Sequence, residues 1–250
     1  MTDFVSAPDG VRIAFEIVGR GAPVVLVHGF GASRNQNWRE PGWHKTLTEA
    51  GYQVIALDCR GHGESDKPHD PAAYAGSTMS DDVLTVMQAA GYTRANVMGY
   101  SMGGMLTLRL THDHPQAVTR GILGGVGEVY FTRNDAWRQA IADGIVATDT
   151  SELTPVQWMF RNFAHEPGKD IEALAACMRA SRPPLTFAEL GAISTPMLVV
   201  CGGHDIVSGP PNALAEALGN GRHVTVENRD HMRTVGDKVY KQAVLDFLAE

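Results

Sequence analysis

Gly99-Tyr100-Ser101-Met102-Gly103 follows a short apolar run at residues 96–98 and precedes a helical pattern at residues 102–114. A sharp strand-to-helix turn of this kind holds its central residue in a strained backbone conformation and leaves room only for small neighbours. The two glycines supply that room. Such a turn exposes the Ser101 hydroxyl above a sheet edge, and the helix N-terminus behind it offers free N–H groups and a positive potential. The stretch therefore predicts a serine nucleophile rather than a serine that only caps a helix.

Short apolar runs recur on both sides of this stretch and are separated by turns or by helical patterns. Runs that are apolar on both faces are typical of buried strands in a parallel sheet. The strands that we predict are residues 11–18, 23–27, 54–57, 96–98, 120–123, 197–201 and 223–226. Strands that alternate with helices indicate an α/β fold, with a mostly parallel sheet covered on both sides.

Apolar periodicity and end signals predict the helices between these strands. Thr78 and Asp81 have the spacing of a capping box, and apolar residues follow them on one helical face. The helix at 102–114 ends before Pro115, which disfavours a helical residue in front of it. The last helical segment presents one apolar face, formed by Val239, Tyr240, Ala243, Val244, Phe247 and Leu248.

One region breaks the alternation of strands and helices. It has no good strand, but residues 134–147, 155–165 and 169–180 have helical patterns. We expect this insertion, residues 127–192, to form a helical cap over a core domain of residues 1–126 and 193–250. Its large apolar side chains either line a pocket or form the cap's own core. The candidates for substrate contact are Trp137, Trp158 and Phe160.

Four motifs, each at the end of a predicted strand, resemble those of the α/β-hydrolase fold family. They are His28-Gly29-Phe30, then Asp58-Cys59-Arg60-Gly61-His62-Gly63-Glu64-Ser65, then the glycine-flanked serine extended to Gly104, and finally Cys201-Gly202-Gly203-His204-Asp205. All four occur in the family's order, over nearly the whole chain. The resemblance implies a doubly wound, eight-stranded sheet with the helical cap inserted before the last two strands. Ligands in such sheets bind outside the carboxyl ends of the strands.

The resemblance also implies a set of catalytic residues. In this family the serine at the turn, the nucleophile elbow, works with an acid and then a histidine in chain order. The matching positions are Ser101, Asp205 and His231, and only His231 of the ten histidines lies between the last predicted strand and the last helix. The histidine would act as base for the serine, and the aspartate would fix its tautomer. The family's oxyanion hole falls on the backbone N–H groups of Phe30 and Met102.

One position departs from the family pattern. The family commonly has a glycine directly before the catalytic histidine, whereas this chain has Asp230. Asp230 either restricts the loop that carries His231 or adds a second carboxylate near the base.

The function implied by the resemblance is that of a serine hydrolase acting on a small carboxylic ester or related acyl compound through an acyl-enzyme, with no cofactor and no metal. Hydrolases of C–C bonds and cofactor-free perhydrolases of this family keep the same three residues, so both are alternatives. Epoxide hydrolases and haloalkane dehalogenases have aspartate at the elbow, so Ser101 argues against both. A small-molecule receptor of the same fold is an alternative from another functional class.

The composition limits the other classes of function. The chain has 250 residues, 44% of them hydrophobic, and a net charge of −7. This size suits one sizeable core, and the acidic charge disfavours binding to nucleic acid or to anionic membranes. Three widely spaced cysteines argue against a disulfide framework or a zinc site. We find no secretory signal and no membrane-spanning stretch, and therefore expect a cytoplasmic protein. We also expect a monomer or homodimer whose partner is an ester-like small molecule.

Overall fold

The computed structural model describes residues 1–132 and 134–250, and within them eight strands form one sheet. Their order across the sheet is β1-β2-β4-β3-β5-β6-β7-β8. The bounds are β1 Asp3–Ser6, β2 Arg12–Val18, β3 Ala22–Val27, β4 Tyr52–Leu57, β5 Ala95–Tyr100, β6 Val118–Gly124, β7 Met197–Gly202 and β8 Gly221–Val226. β2 is antiparallel to β1 and to β4, and every other neighbouring pair is parallel. The predicted mostly parallel, eight-stranded sheet is confirmed.

Helices follow the strands and cover both faces of the sheet. In the described residues they are α1 Trp43–Glu49, α2 Thr78–Ala89, α3 Met102–Asp113, α4 Asp135–Val146, α5 Pro155–Ala164, α6 Ile171–Arg179, α7 Phe187–Gly191, α8 Asn212–Ala217, α9 His231–Thr234 and α10 Lys238–Ala249. Along β3, Val25 and Val27 pack with α2 and α3, whereas Val24 and Leu26 pack with α1 and α10. Both faces of the strand are buried, which explains its continuous apolar run. The sheet is doubly wound, as predicted.

Two local expectations are corrected by the structure. β1 has no counterpart among the predicted strands, because it is a four-residue edge strand in which only Val5 is half-buried. Its pairing with β2 defines it, not an alternation of apolar residues. The capping box predicted for Thr78 and Asp81 is wrong, because Ser77 occupies the N-cap position. The Ser77 hydroxyl instead donates a hydrogen bond to the Asp81 carboxylate at 2.8 Å.

The insertion between β6 and β7 is helical in its described residues. α5 and α6 both pack on α4, and Gln157 Nε2 of α5 donates to the Ala140 carbonyl oxygen of α4 at 2.8 Å. Leu185 and Leu190, which lie later in the same insertion, pack with β7 and α8. The division into a core and a cap at residues 127–192 stays a prediction.

The described residues contain neither a helix suited to a bilayer nor a cluster of metal ligands. None of their helices is both long and apolar enough to cross a membrane. No group of three or more His, Cys, Asp or Glu side chains among them could hold a metal ion. The three cysteines, Cys59, Cys177 and Cys201, are buried free thiols.

Candidate active site

The loops after β3 and β5 meet where the strand order reverses. β3 lies between β4 and β5, so the chain first moves to one side of β3 and later to the other. In open α/β sheets a crevice forms at this switch point, outside the carboxyl ends of the strands. Phe30 follows β3 and Ser101 follows β5, so both residues lie at this crevice.

Ser101 occupies the turn between β5 and α3 in a strained conformation. Its φ is +52°, and Asn228 is the only other non-glycine residue of the described chain with a positive φ. A Cβ on Gly99 would lie 2.0 Å from the Gly103 carbonyl oxygen, and a Cβ on Gly103 would lie 2.0 Å from that of Val27. No larger residue fits at either position. The two glycines therefore permit the turn that presents Ser101 to the crevice, as the sequence predicted.

The two predicted oxyanion donors lie next to Ser101. Met102 is the first residue of α3, and Phe30 lies in the loop after β3. Gly29 of that loop is so close to the elbow that its Cβ would lie 3.5 Å from Ser101 Cβ. Within the described residues, neither the Met102 nor the Phe30 amide donates a hydrogen bond. Unused N–H groups beside a nucleophile can stabilise a developing oxyanion, and this role of the two amides stays a prediction.

Asp205 and His231 are in direct contact. Asp205 follows β7 and His231 begins α9 after β8, and the His231 Nδ1 atom lies 2.8 Å from Asp205 Oδ2. The Asp205 carboxylate also accepts hydrogen bonds from the backbone amides of Val207 and Ser208, both at 2.9 Å, and from the Ser208 hydroxyl. Burial alone would raise the pKa of Asp205, but the bonds from His231 and Ser208 outweigh it and hold that pKa below its usual value. The carboxylate is therefore ionised at neutral pH and orients the imidazole.

Tyr100 anchors the loop that carries His231, and the sequence analysis did not identify this role. The Tyr100 hydroxyl donates a hydrogen bond to the backbone carbonyl of His231 at 2.5 Å, and the two ring centroids are 5.3 Å apart. Gly125 leaves room for the histidine, since a Cβ there would lie 2.9 Å from His231 Cε1. Tyr100 and His231 are 131 positions apart, so only the tertiary fold could reveal the contact.

Ser101 and His231 lie at the same sheet edge without a direct hydrogen bond. Among the described residues, the His231 ring has one hydrogen-bond partner, which is Asp205. Gly125 lies between the two, because it lines a small cavity with Ser101 and also approaches the His231 ring. Hydrogen bonds between catalytic groups are often long before substrate binds and shorten in the substrate complex.

Asp230 caps α9, and its carboxylate is used in that cap. Its carboxylate accepts a hydrogen bond from the Arg233 amide at 2.8 Å. Its backbone is extended, with a φ of −86° and a ψ of 178°, a conformation that does not require glycine. The structure thus favours the interpretation in which Asp230 restricts the loop over the one in which it adds a carboxylate to the base.

A pocket opens over Ser101 between the sheet edge and the helical insertion. It holds about 880 Å³ of empty space, including its open mouth. Phe30 and Met102 line it beside Ser101, and Trp137 and Phe160 line it from the insertion. The Phe160 ring centroid is 5.8 Å from that of Phe30 and 5.7 Å from that of Trp137. The pocket thus joins Ser101, the predicted nucleophile, to two of the three predicted substrate-contact residues.

Trp158 is the predicted contact residue that the pocket leaves out. It does not line the pocket, and it is 39% exposed. Trp158 precedes Phe160 by two positions on α5, which is a rotation of roughly 200° around a helix. The two side chains therefore face nearly opposite directions, and the expectation for Trp158 is corrected.

Comparisons with known proteins agree with this architecture. The family described as "alpha/beta hydrolase fold" matches residues 22–143. The "Putative carbamate hydrolase RutD" of Variovorax paradoxus is 30% identical over 254 residues, and the alignment covers 92% of each chain. The first curated relatives are uncharacterised mycobacterial proteins with 37% identity over 134 residues, and the chain spans only 37% of their length.

Two solved structures resemble the whole chain. A hydrolase from Pseudomonas aeruginosa PA01 has a TM-score of 0.83 at 25% identity and covers 100% of this chain and 98% of its own. The esterase EaEST from Exiguobacterium antarcticum has a TM-score of 0.79 at 25% identity and covers 100% of both chains. The fold of this chain and its relatives together show that it belongs to the α/β-hydrolase fold family.

Proposed function

We propose that this protein is a serine hydrolase that cleaves a small carboxylic ester or a related acyl compound. The proposal rests on one observation: the hydrogen-bonded Asp205 and His231 lie at the sheet edge where the strained, half-buried Ser101 lines a pocket. A weak hydroxyl nucleophile needs an imidazole base, and the base needs a group that orients it. The carbamate hydrolase and esterase named among the relatives support this choice, since esters and carbamates both offer a carbonyl carbon to a nucleophile.

In the first half of the reaction, Ser101 Oγ attacks the carbonyl carbon while His231 Nε2 takes the hydroxyl proton. Negative charge develops on the former carbonyl oxygen, where the Phe30 and Met102 amides would donate hydrogen bonds. One such donor stabilises the transition state by about 3–4 kcal/mol. Asp205 accepts the hydrogen bond from Nδ1 and stabilises the imidazolium that forms.

To complete this half, the bond to the leaving alcohol breaks and the alcohol receives the proton from His231. The acyl group remains on Ser101 as an ester. Water then attacks the acyl carbon and passes a proton to His231, which returns it to Ser101 as the carboxylic acid leaves. One ester and one water become one acid and one alcohol.

We propose further that the insertion acts as a cap on the substrate pocket. Trp137 and Phe160 line the pocket from α4 and α5, and Phe160 contacts Phe30 across it. Side chains of a cap choose among substrates, whereas the residues at the sheet edge carry out the chemistry. Bond type therefore depends on the pocket, and a panel of esters, lactones and a diketone separates an esterase from a C–C hydrolase.

The experiment combines active-site labelling with turnover. The wild-type protein should hydrolyse p-nitrophenyl esters of short acids, and a fluorophosphonate should label one serine that peptide mapping places at residue 101. Ser101→Ala should lose the label and more than about 1,000-fold in kcat, with an unchanged circular dichroism spectrum. Ser151→Ala, at an exposed serine outside the pocket, should keep both. Activity of Ser101→Ala within tenfold of wild type, or a label on another serine, would reject the proposal.

A further inference from the structure

Among the residues that the structure describes, three arginines and no carboxylate line the pocket over Ser101. Arg109 comes from α3, Arg138 from α4, and Arg182 from the segment that follows α6. The chain as a whole has a net charge of −7, so this local excess of positive charge opposes the overall balance. A concave site lined by one sign of charge concentrates ligands of the opposite sign.

Arg109 is neutralised within its own helix. Its Nε lies 2.6 Å from the carboxylate of Asp113, which is four residues later on α3. This ion pair satisfies the positive charge without a ligand. Arg138 is also paired with a carboxylate, but it differs from Arg109 in having a buried N–H group without an acceptor among the described residues.

Arg138 is buried and has an unused donor. The residue is 8% exposed, and its Nε has no hydrogen-bond partner among the described residues. Its Nη2 pairs with Asp135, whose side chain is 62% exposed. A buried N–H group without an acceptor is costly, so such groups normally have partners. An acceptor that enters the pocket would supply the partner that the protein does not.

Arg182 forms no salt bridge with a carboxylate in the described part of the chain. Its guanidinium donates to the carbonyl oxygens of Tyr74 at 3.3 Å and of Cys177 at 3.0 Å. Its Nη1 also lies 3.1 Å from the Met79 sulfur. These neutral acceptors hold the half-buried group in place. The nearby Asp135 carboxylate, whose pKa the charge of Arg182 helps to lower, interacts with it without a salt bridge.

We propose that Arg138 and Arg182 form an anion subsite and that the preferred substrate carries a carboxylate besides the bond that is cleaved. A half-ester of a short dicarboxylic acid has this chemistry. The planar guanidinium fork matches a carboxylate, and the apolar wall with Trp137 and Phe160 suits a short hydrocarbon between the two groups. The cleavage step rests on the function proposed for Ser101, whereas anion binding can be measured without turnover.

The first test compares two esters of the same acyl length. Mono-p-nitrophenyl glutarate ends in a carboxylate, and p-nitrophenyl valerate is its neutral counterpart. The wild-type kcat/KM should favour the anionic ester at least tenfold. Arg138→Gln and Arg182→Gln should each lower this preference by about tenfold, the low end of the range for a hydrogen bond to a charged group. Arg179→Gln is the matched control, since Arg179 ends α6, pairs with Asp143 and lies outside the pocket; the preference should not change.

The second test measures binding and covers an Arg182 variant that fails to fold. Glutarate is titrated into Ser101→Ala protein by calorimetry, and adding Arg138→Gln should weaken its affinity at least tenfold. Arg182→Lys, which keeps the charge but loses the fork, should weaken it less than Arg182→Gln does. Equal turnover of the two esters, with Ser101 still labelled, would overturn the anion subsite and leave the proposed function intact. Arg138-dependent glutarate binding without cleavage of any ester would support the subsite and reject the proposed function.

Discussion

The two walls of the pocket differ in how their residues are held. On the sheet side, backbone contacts position the key groups: the Ser101 amide donates to the Gly124 carbonyl at 2.7 Å, and Tyr100 holds the backbone of His231. On the insertion side, Trp137 and Phe160 project from helices and are held by ring packing. Backbone geometry cannot be altered by one substitution without disturbing the fold, whereas helix side chains can be exchanged. Chemistry and selectivity are therefore separable in this molecule.

The largest expected effect comes from changing one atom on the sheet side. In Asp205→Asn, an NH2 group that cannot accept hydrogen bonds replaces one carboxylate oxygen. If this group faces the amides of Val207 and Ser208, their hydrogen bonds are lost. If it faces the imidazole, the tautomer of His231 is reversed. By analogy with serine proteases, kcat on a p-nitrophenyl ester should fall by about 10⁴-fold. Asp230→Asn is the control, because asparagine also caps a helix and Asp230 does not touch the ring. An equal loss in both variants would show that Asp230 acts on the base.

The next effect concerns the backbone of the elbow. Gly103→Ala would place a Cβ 2.0 Å from the Val27 carbonyl oxygen, and we expect roughly 3–5 kcal/mol of lost unfolding free energy in urea. Gly191→Ala is the matched control at the end of α7, where the nearest atom would be 3.9 Å away. It should change stability by less than about 1 kcal/mol. Similar urea unfolding midpoints for the two variants would contradict the explanation that a Cβ at residue 103 is sterically excluded.

The third prediction is a pH dependence of the free energy of unfolding, caused by a buried histidine near the sheet-side loops. His62 is buried, its ring packs on Phe30 at 5.8 Å, and burial lowers its pKa well below the usual value. The unfolded chain therefore binds a proton below about pH 6.5 that the folded chain does not, so stability is present above that pH and is lost as pH falls. His62→Gln removes this contribution. Between pH 6.5 and 5.5, the wild type should lose about 1 kcal/mol more unfolding free energy than the variant does. If the unfolding free energies of wild type and His62→Gln changed equally with pH, burial of His62 would not be the cause of the pH dependence.

The smallest expected effect is on kcat/KM, and it should differ between two tryptophans of the insertion. Trp137→Ala should change kcat/KM for aryl esters by about tenfold, because Trp137 lines the pocket and packs on Phe160. Trp158→Ala should change it by less than about twofold, since that side chain lies outside the pocket. Steady-state kinetics on one ester measures both variants. A larger effect for Trp158 would place substrate on the opposite face of α5.

The residues on the sheet side could be predicted from the sequence because the geometry there requires particular residue types at particular positions. Glycines at 99 and 103 mark the close backbone approaches of the elbow, and the motif order indicates which strand ends carry Ser101, Asp205 and His231. Since the carboxyl ends of parallel strands share one edge, chain order is enough to bring these residues to that edge.

The insertion side was predicted less completely, for a physical reason. Periodicity placed its helices well: residues 134–147 were expected and α4 is Asp135–Val146. A helix boundary does not determine which face meets the pocket, so Trp158 was chosen together with Phe160. The unused Nε of Arg138 and the bond from Tyr100 to His231 depend on packing between distant segments. No local pattern encodes either contact.

The place of the insertion also has a consequence for biosynthesis. Ser101 is made before α4, while Asp205 and His231 are made only after α7. A nascent chain that has emerged as far as α6 therefore presents Ser101 without the base that the proposed mechanism requires. Docking of β7 onto β6, followed by β8, delivers the missing groups. Reactivity begins late in translation, after the walls around the serine have been synthesised.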